Sequence, residues 1–383
     1  MSIAARARAP DAAASGEAGP RSRLLRLAAP ALAAASVLLT LLVLEAVFRL
    51  AGVSVGTVQI NRATVRRSDD PRLLFELRPG ALVHGEVEYR IDALGLRGPE
   101  TTVEKPAGVR RVAVLGDSIA FGYWVAEADG FPRQLETMLR GLGGGRVEVL
   151  DFGVPGYNLD QEIETLRTKA LAFSPDVVVV AFCLNDLEGT SHELGLVQDR
   201  SLRESTLLGR VRESLLAHST LFSWLEYRMA EMESRRGFVK TRNPLPERLY
   251  LETVEEQQAS LASRMATLHA ILGAHRLPGF VVIFPALGSR FEAYPYRELH
   301  ALVADASRGA GLQPVDLLEC FSSYDFHDLR VDVVHPSPMG HRVAAHAVRD
   351  ALCARGLLCA AGVPRGVSCS DYRKADFAVV RGY

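Results

Sequence analysis

Ser118, Gly153, Asn185, Asp332 and His335 are the residues of this 383-residue chain whose types and order suggest a reaction. Ser118 closes Val112-Ala-Val-Leu-Gly-Asp-Ser118, an apolar run that ends in a Gly-Asp-Ser turn, and Asp332 and His335 share the segment Asp-Val-Val-His-Pro. A serine hydroxyl attacks a carbonyl only when a base takes its proton. A histidine is an effective base when a carboxylate fixes its tautomer and stabilises its cation. The N–H groups of Ser118 and Gly153 and the Asn185 amide are candidate donors to the oxyanion that forms in such an attack. The set amounts to a kit for acyl transfer, to water or to another acceptor.

His327, Asp328, Asp332, His335 and His341 form a competing cluster of metal-ligating types. No second cluster with ligand spacing accompanies it, and a metal reading leaves the Ser, Gly and Asn unexplained. We therefore expect no metal and no cofactor. His327 reads as a loop histidine and His341 as a helix-surface one. Asp117 reads as a residue that bonds the backbone of its turn, and Asp186 as a structural residue.

The elements that must position these residues alternate. Arg111 to Leu115, Val147 to Phe152, Asp176 to Phe182 and Gly279 to Phe284 are apolar runs, with a shorter strand around Val315. Between them lie helical patterns at Phe131–Leu142, Asn158–Phe173, Thr253–His275, Tyr296–Arg308 and Pro338–Ala354. Continuous Val/Ile-rich strands separated by helices indicate an α/β fold with a parallel sheet covered on both faces. Right-handed crossovers keep the strand carboxyl ends on one edge. Ser118, Gly153 and Asn185 each follow such a strand, so the pattern predicts that they meet at that edge, where open α/β sheets bind ligands.

In these residues the chain resembles the SGNH (GDSL-type) serine hydrolases. Gly116-Asp117-Ser118 matches the first block of that family. Asp151-Phe-Gly153-Val-Pro-Gly-Tyr-Asn158 resembles the second, Cys183-Leu-Asn185-Asp186 the third, and Asp332-Val-Val-His335 the last. Cys183 departs from the pattern, which usually has Gly there. The resemblance spans residues 106 to 355. It implies a flavodoxin-like, doubly wound sheet and an esterase, lipase or carbohydrate-deacetylase type of activity. It also implies the catalytic roles of Ser118, Asp332 and His335 and an oxyanion hole of Ser118, Gly153 and Asn185. Tyr123, Trp124 and Tyr157 follow the first two blocks closely and are expected to line the pocket.

The amino-terminal region bears on location. Leu27 to Leu44 is an uncharged run of 18 residues preceded by Arg21, Arg23 and Arg26. That length just spans a bilayer core, and the basic flank places the N-terminus in the cytoplasm and the rest of the chain outside it. A cleaved signal peptide is the rival, but no A-x-A site follows the run. Of the five cysteines, Cys183 reads as an unpaired core thiol. Cys320, Cys353, Cys359 and Cys369 are candidates for one or two disulfides in an oxidising compartment. The 44 basic and 45 acidic side chains nearly cancel, which removes the field a nucleic-acid partner needs. Gly141-Leu-Gly-Gly-Gly145 follows a helix instead of opening one, so no phosphate site is expected there.

These readings divide the chain into five parts. Residues 1–23 form a disordered cytoplasmic tail and 24–48 a transmembrane helix. Residues 49–105 are a stalk or a small β-rich accessory segment, 106–355 the hydrolase domain, and 356–383 a C-terminal extension. Within the hydrolase domain, 187–254 is a helical insertion or lid at the mouth of the site. The expected function is that of a membrane-anchored, extracytoplasmic serine esterase. Its expected partner is an acylated carbohydrate or lipid ester of the cell envelope. An O-acyltransferase using the same triad, or an idle polysaccharide-binding scaffold, are the alternatives. Oligomeric state is left open.

Overall fold

A long helix, α1 (Pro20–Leu50), opens the described chain, and two antiparallel hairpins follow it. β1 (Val65–Arg67) pairs with β2 (Phe75–Leu77), and β3 (Gly80–His84) pairs with β4 (Val87–Ile91). The remaining elements alternate. They are β5 (Val109–Gly116), α2 (Ser118–Phe121), α3 (Phe131–Gly141), β6 (Arg146–Asp151), α4 (Leu159–Thr168) and β7 (Val177–Phe182). After these come α5 (Leu207–His218), α6 (Val254–Ala274), β8 (Gly279–Ile283), α7 (Arg297–Gly309), β9 (Gln313–Asp316), α8 (Leu318–Ser322) and α9 (Pro338–Ala354). This computed structural model describes residues 20–51, 65–84, 87–142, 145–187, 207–222, 224–225 and 254–359. The tail before Pro20, Cys369 and most of the 187–254 insertion, with its lid assignment, lie outside the described residues.

β5 to β9 form one parallel sheet in the order β6-β5-β7-β8-β9. Numbered within the sheet, that order is 2-1-3-4-5, the flavodoxin-like arrangement, whose switch point lies between the first and third strands. Here those strands are β5 and β7, which precede Ser118 and Asn185. The sheet is parallel because its strands are apolar on both faces. All six residues of β7 are buried. Val112, Val114, Val177, Val179, Phe280 and Val282 face α3, α8 and α9, while Ala113, Leu115, Val178, Val180, Val281 and Ile283 face α4, α6 and α7. Each fully buried aliphatic or aromatic side chain in these layers contributes about 1.5–3 kcal/mol.

The helices start where their caps direct. Asn158 and Gln161 form a reciprocal capping box at α4, with both bonds at 3.2 Å. Ser337 caps α9, and Pro338 occupies its first turn, where a missing N–H costs nothing. On the opposite edge, the fully buried Arg111 of β5 pairs with Glu148 at 2.9 Å and donates to the carbonyls of Thr102, Val103, Glu104 and Phe173. These bonds tie the segment before β5 to the sheet. Cys353 and Cys359 form a disulfide, Cys320 is also disulfide-bonded, and Cys183 is buried.

The β1–β4 hairpins pack beside the sheet edge through a third apolar cluster. Val65, Leu73, Phe75, Leu77, Tyr89 and Ile91 meet Phe121, Tyr123, Val154 and Tyr157 there. The accessory segment is thus in contact with the turns that follow β5 and β6.

Candidate active site

β5 ends at Gly116 because nothing larger fits there. A Cβ at Gly116 would stand 2.6 Å from Ala120 Cβ and 3.0 Å from Ala181 Cβ. Asp117 then caps α2, its Oδ1 accepting the Ile119 N–H at 2.8 Å. Ser118 becomes the first residue of that short helix, where an N–H has no intrahelical acceptor. Its side chain is half-buried at the carboxyl edge of the sheet.

The Asp332–His335 segment reaches Ser118 from a loop pinched at its neck. Val331 N–H donates to His335 O, and Ser337 N–H to Leu329 O, both at 2.9 Å. Asp332 Oδ1 accepts the N–H groups of Val334 and His335 at 2.8 Å each. Its Oδ2 lies 2.8 Å from His335 Nδ1, and His335 Nε2 lies 2.9 Å from Ser118 Oγ. The three side chains therefore form a continuous hydrogen-bonded row. Desolvation alone would raise the Asp332 carboxyl. The His335 bond, its charge and the two N–H bonds outweigh desolvation and hold the carboxyl at about 2. A carboxylate that stays ionised requires a proton on Nδ1, which leaves Nε2 as the acceptor for the serine proton.

Two of the aromatic residues expected to line the pocket contact this row. The Tyr123 ring is buried and stacks on the His335 imidazole, with centroids 5.2 Å apart and planes 23° apart. Trp124 Nε1–H donates to Asp332 Oδ2 at 3.1 Å. Trp124 sits in the left-handed region, at φ +67°, and its N–H donates to Tyr89 Oη at 2.9 Å. Arg97 holds the same turn from the Gly95–Gly98 segment. Its guanidinium donates to the carbonyls of Phe121, of Gly122 at 2.5 Å and of Val125 at 2.7 Å. It also lies 4.8 Å from the centroids of both Tyr89 and Phe121. The sequence reading missed Arg97. A Gly-Leu-Arg-Gly turn gives no sign of which carbonyls its arginine will find.

Tyr157 does not join the site. It is buried, its hydroxyl donates to Phe75 O, and its ring meets Phe75 edge-on at 5.2 Å. This corrects its assignment as a substrate-binding residue, because its polar end is used to hold β2. His341 is likewise not on the helix surface. It is fully buried, and burial lowers it to about 3, so the ring is neutral. Its Nδ1 accepts the Phe131 N–H at 3.3 Å, which links α9 to the start of α3.

The second and third blocks sit at the ends of β6 and β7. Gly153 is packed so closely that a Cβ would stand 2.4 Å from Phe121 N. Its N–H donates to Asp151 Oδ1 at 2.8 Å, so the expected oxyanion donor is already engaged. Complete burial pushes Asp151 up to about 7, against the pull of the Gly153 N–H, Arg97 and Arg133. Gly156, in the same block, has φ +87°, and among the described residues no hydrogen bond is found for its N–H. Asn185 lies in the turn Leu184–Leu187 after β7, and its side chain is outside the described residues. Asp186 closes that turn, its Oδ2 accepting the Cys183 N–H at 2.7 Å. Beneath the edge, burial and the mutual charges of Asp117, Glu162 and Asp186 push Glu162 and Asp186 well above the usual carboxylate range, with Arg264 opposing.

No curated protein sequence matches the chain. Among solved structures, the lipase/acylhydrolase from Enterococcus faecalis aligns at 16% identity with a TM-score of 0.40, over 68% of this chain and 100% of that one. The acetyl xylan esterase AlAXEase aligns at 14% and 0.40, over 63% and 99%. The acetylxylan esterase Axe2 from Geobacillus stearothermophilus aligns at 16% and 0.38, over 62% and 92%. The model of the GDSL-like Lipase/Acylhydrolase family matches residues 114–343, more than half of the chain. With its four blocks in order on a flavodoxin-like sheet, the chain belongs to this family of ester-hydrolysing enzymes.

Proposed function

We propose that the chain is a serine esterase anchored in a membrane by α1, with its hydrolase domain outside the cytoplasm. The observation that carries the chemistry is the row Ser118 Oγ, His335 Nε2, His335 Nδ1 and Asp332 Oδ2, linked at 2.9 and 2.8 Å. Ser118 Oγ attacks the ester carbonyl carbon while His335 Nε2 takes its proton. The tetrahedral intermediate collapses, its bond to the alcohol breaks, and His335 returns the proton to the departing oxygen. Water then repeats the sequence on the acyl-serine and releases the acid. The Ser118 N–H and the Asn185 amide serve the oxyanion. The Gly153 N–H must share itself with Asp151 to do so, which makes the Gly156 N–H the alternative donor of the second block.

The anchor reading rests on α1. Its Pro30–Leu50 stretch of 21 residues has a mean hydropathy of 2.3 and none of it is buried in the protein. Outside the cytoplasm, the substrate class is an O-acyl ester of an envelope glycan or lipid. The chemistry is tested with a fluorophosphonate probe on the full chain and on Ser118→Ala. We expect stoichiometric labelling of the first, none of the second, and parallel loss of p-nitrophenyl acetate hydrolysis. Labelling of folded Ser118→Ala would overturn the mechanism. A reporter fused after Tyr383 tests the orientation, since activity only in the cytoplasm would reverse it.

A further inference from the structure

His218 to Leu221 and Trp224, part of the insertion that follows Leu187 in sequence, contact α1. Glu45, near the end of α1, accepts from Ser219 Oγ at 2.7 Å, Thr220 N at 2.9 Å and Leu221 N at 3.0 Å. It also pairs with Arg49 at 2.6 Å, and Arg49 donates to His218 O at 2.6 Å. Phe48 meets Trp224 edge-on at 5.2 Å. These contacts join segments about 170 positions apart, and they fall where the uncharged run of α1 gives way to charge.

α5 ends at this junction, and four of its apolar side chains are exposed. Leu207 is 71% exposed, Leu208 82%, Val211 50% and Leu215 43%. At 100° per residue these four fall within an arc of about 100°, the width of one helix face. With 12 residues, α5 is about 18 Å long, too short to cross a hydrocarbon core of about 30 Å. It also carries Arg210, Arg212 and Glu213. A short helix with an apolar stripe and charged residues suits the interface plane of a bilayer, not its interior.

We propose that α5 lies on the outer lipid surface, held at the mouth of α1 by Glu45, with Leu207, Leu208, Val211 and Leu215 against the acyl boundary. The partner of this face is the membrane in which α1 itself sits, because the exposed apolar surface of α1 runs up to the junction. The proposal rests on the reading of α1 as a span. On this arrangement α5 and the residues of the junction, His218 to Leu221 and Trp224, are held at lipid level.

The test uses the full chain in proteoliposomes with single nitroxide labels at Leu208→Cys, at Leu39→Cys in α1 and at Val83→Cys, which is 67% exposed on β3. Accessibility to oxygen, which partitions into lipid, is compared with accessibility to a water-soluble nickel chelate. We expect the Leu208 label to resemble the Leu39 label, with severalfold less nickel contact than at Val83. Glu45→Ala should raise nickel contact at Leu208 and leave Leu39 unchanged. A water-like Leu208 label beside a lipid-like Leu39 label overturns the proposal and leaves the span intact. A water-like signal at Leu39 overturns the span and the proposal together.

Discussion

Replacing Trp124 with Phe removes one donor from the Asp332 carboxylate and keeps an aromatic ring against Tyr123. Asp332 has four donors in the structure: His335 Nδ1 and two backbone N–H groups at 2.8 Å, and Trp124 Nε1 at 3.1 Å. A hydrogen bond to a charged acceptor contributes about 1.5–3 kcal/mol. The Trp124 bond is the longest of the four, and Asp332 is half-buried, so water partly replaces it and the low end applies. A loss of about 1.5 kcal/mol is roughly a tenfold fall in kcat. KM should stay unchanged, because the bond acts on the triad and not on substrate. Steady-state hydrolysis of a p-nitrophenyl ester measures both. A cycle with Asp332→Asn adds the decisive control, since Trp124→Phe should have little further effect once the carboxylate is gone. An unchanged kcat, or an equal loss in both backgrounds, would refute the argument that Trp124 acts through Asp332.

Arg97→Met leaves the buried carbonyls of Phe121, Gly122 and Val125 without their donor, at about 1–3 kcal/mol each. We expect a loss of at least about 3 kcal/mol and a Tm lowered by roughly 6–12 °C in thermal melts; a shift inside the scatter of replicates would contradict the clamp. Asp151 is raised from 3.8 to about 7, so the folded state holds its proton more tightly than the unfolded one. Its contribution is fully present below the unfolded value and is lost as pH rises through about 7. Asp151→Asn keeps an acceptor for the Gly153 N–H, so its Tm should fall less than wild type between pH 5 and pH 8, and parallel curves would refute the assignment.

The sheet and the hydrogen-bonded row of Ser118, His335 and Asp332 were legible because their signals are local. β7 is six consecutive buried apolar residues, and four short blocks in order place Ser118, Asn185 and the Asp332–His335 pair. The last helix was read at its observed limits, since Ser337 and Pro338 mark its start. What was missed depends on partners far along the chain. Arg97 serves carbonyls more than twenty positions away, and Tyr157 spends its hydroxyl on Phe75 across 82. His341 is different, because a signal was present. It shares a helical stripe with Ala344, Ala345, Val348 and Leu352, all buried, so its register alone assigns it to the core.

The hold of Tyr89 and Arg97 on the 121–125 turn sets how small a working enzyme can be. The family segment begins at residue 114, and a natural place to cut is the linker before β5. A fragment cut there keeps Ser118, Asp332 and His335 but loses the hydroxyl behind Trp124 and the cation beneath Phe121. The portable unit therefore starts upstream of β1. Any graft of this module onto another protein must carry the two hairpins with it.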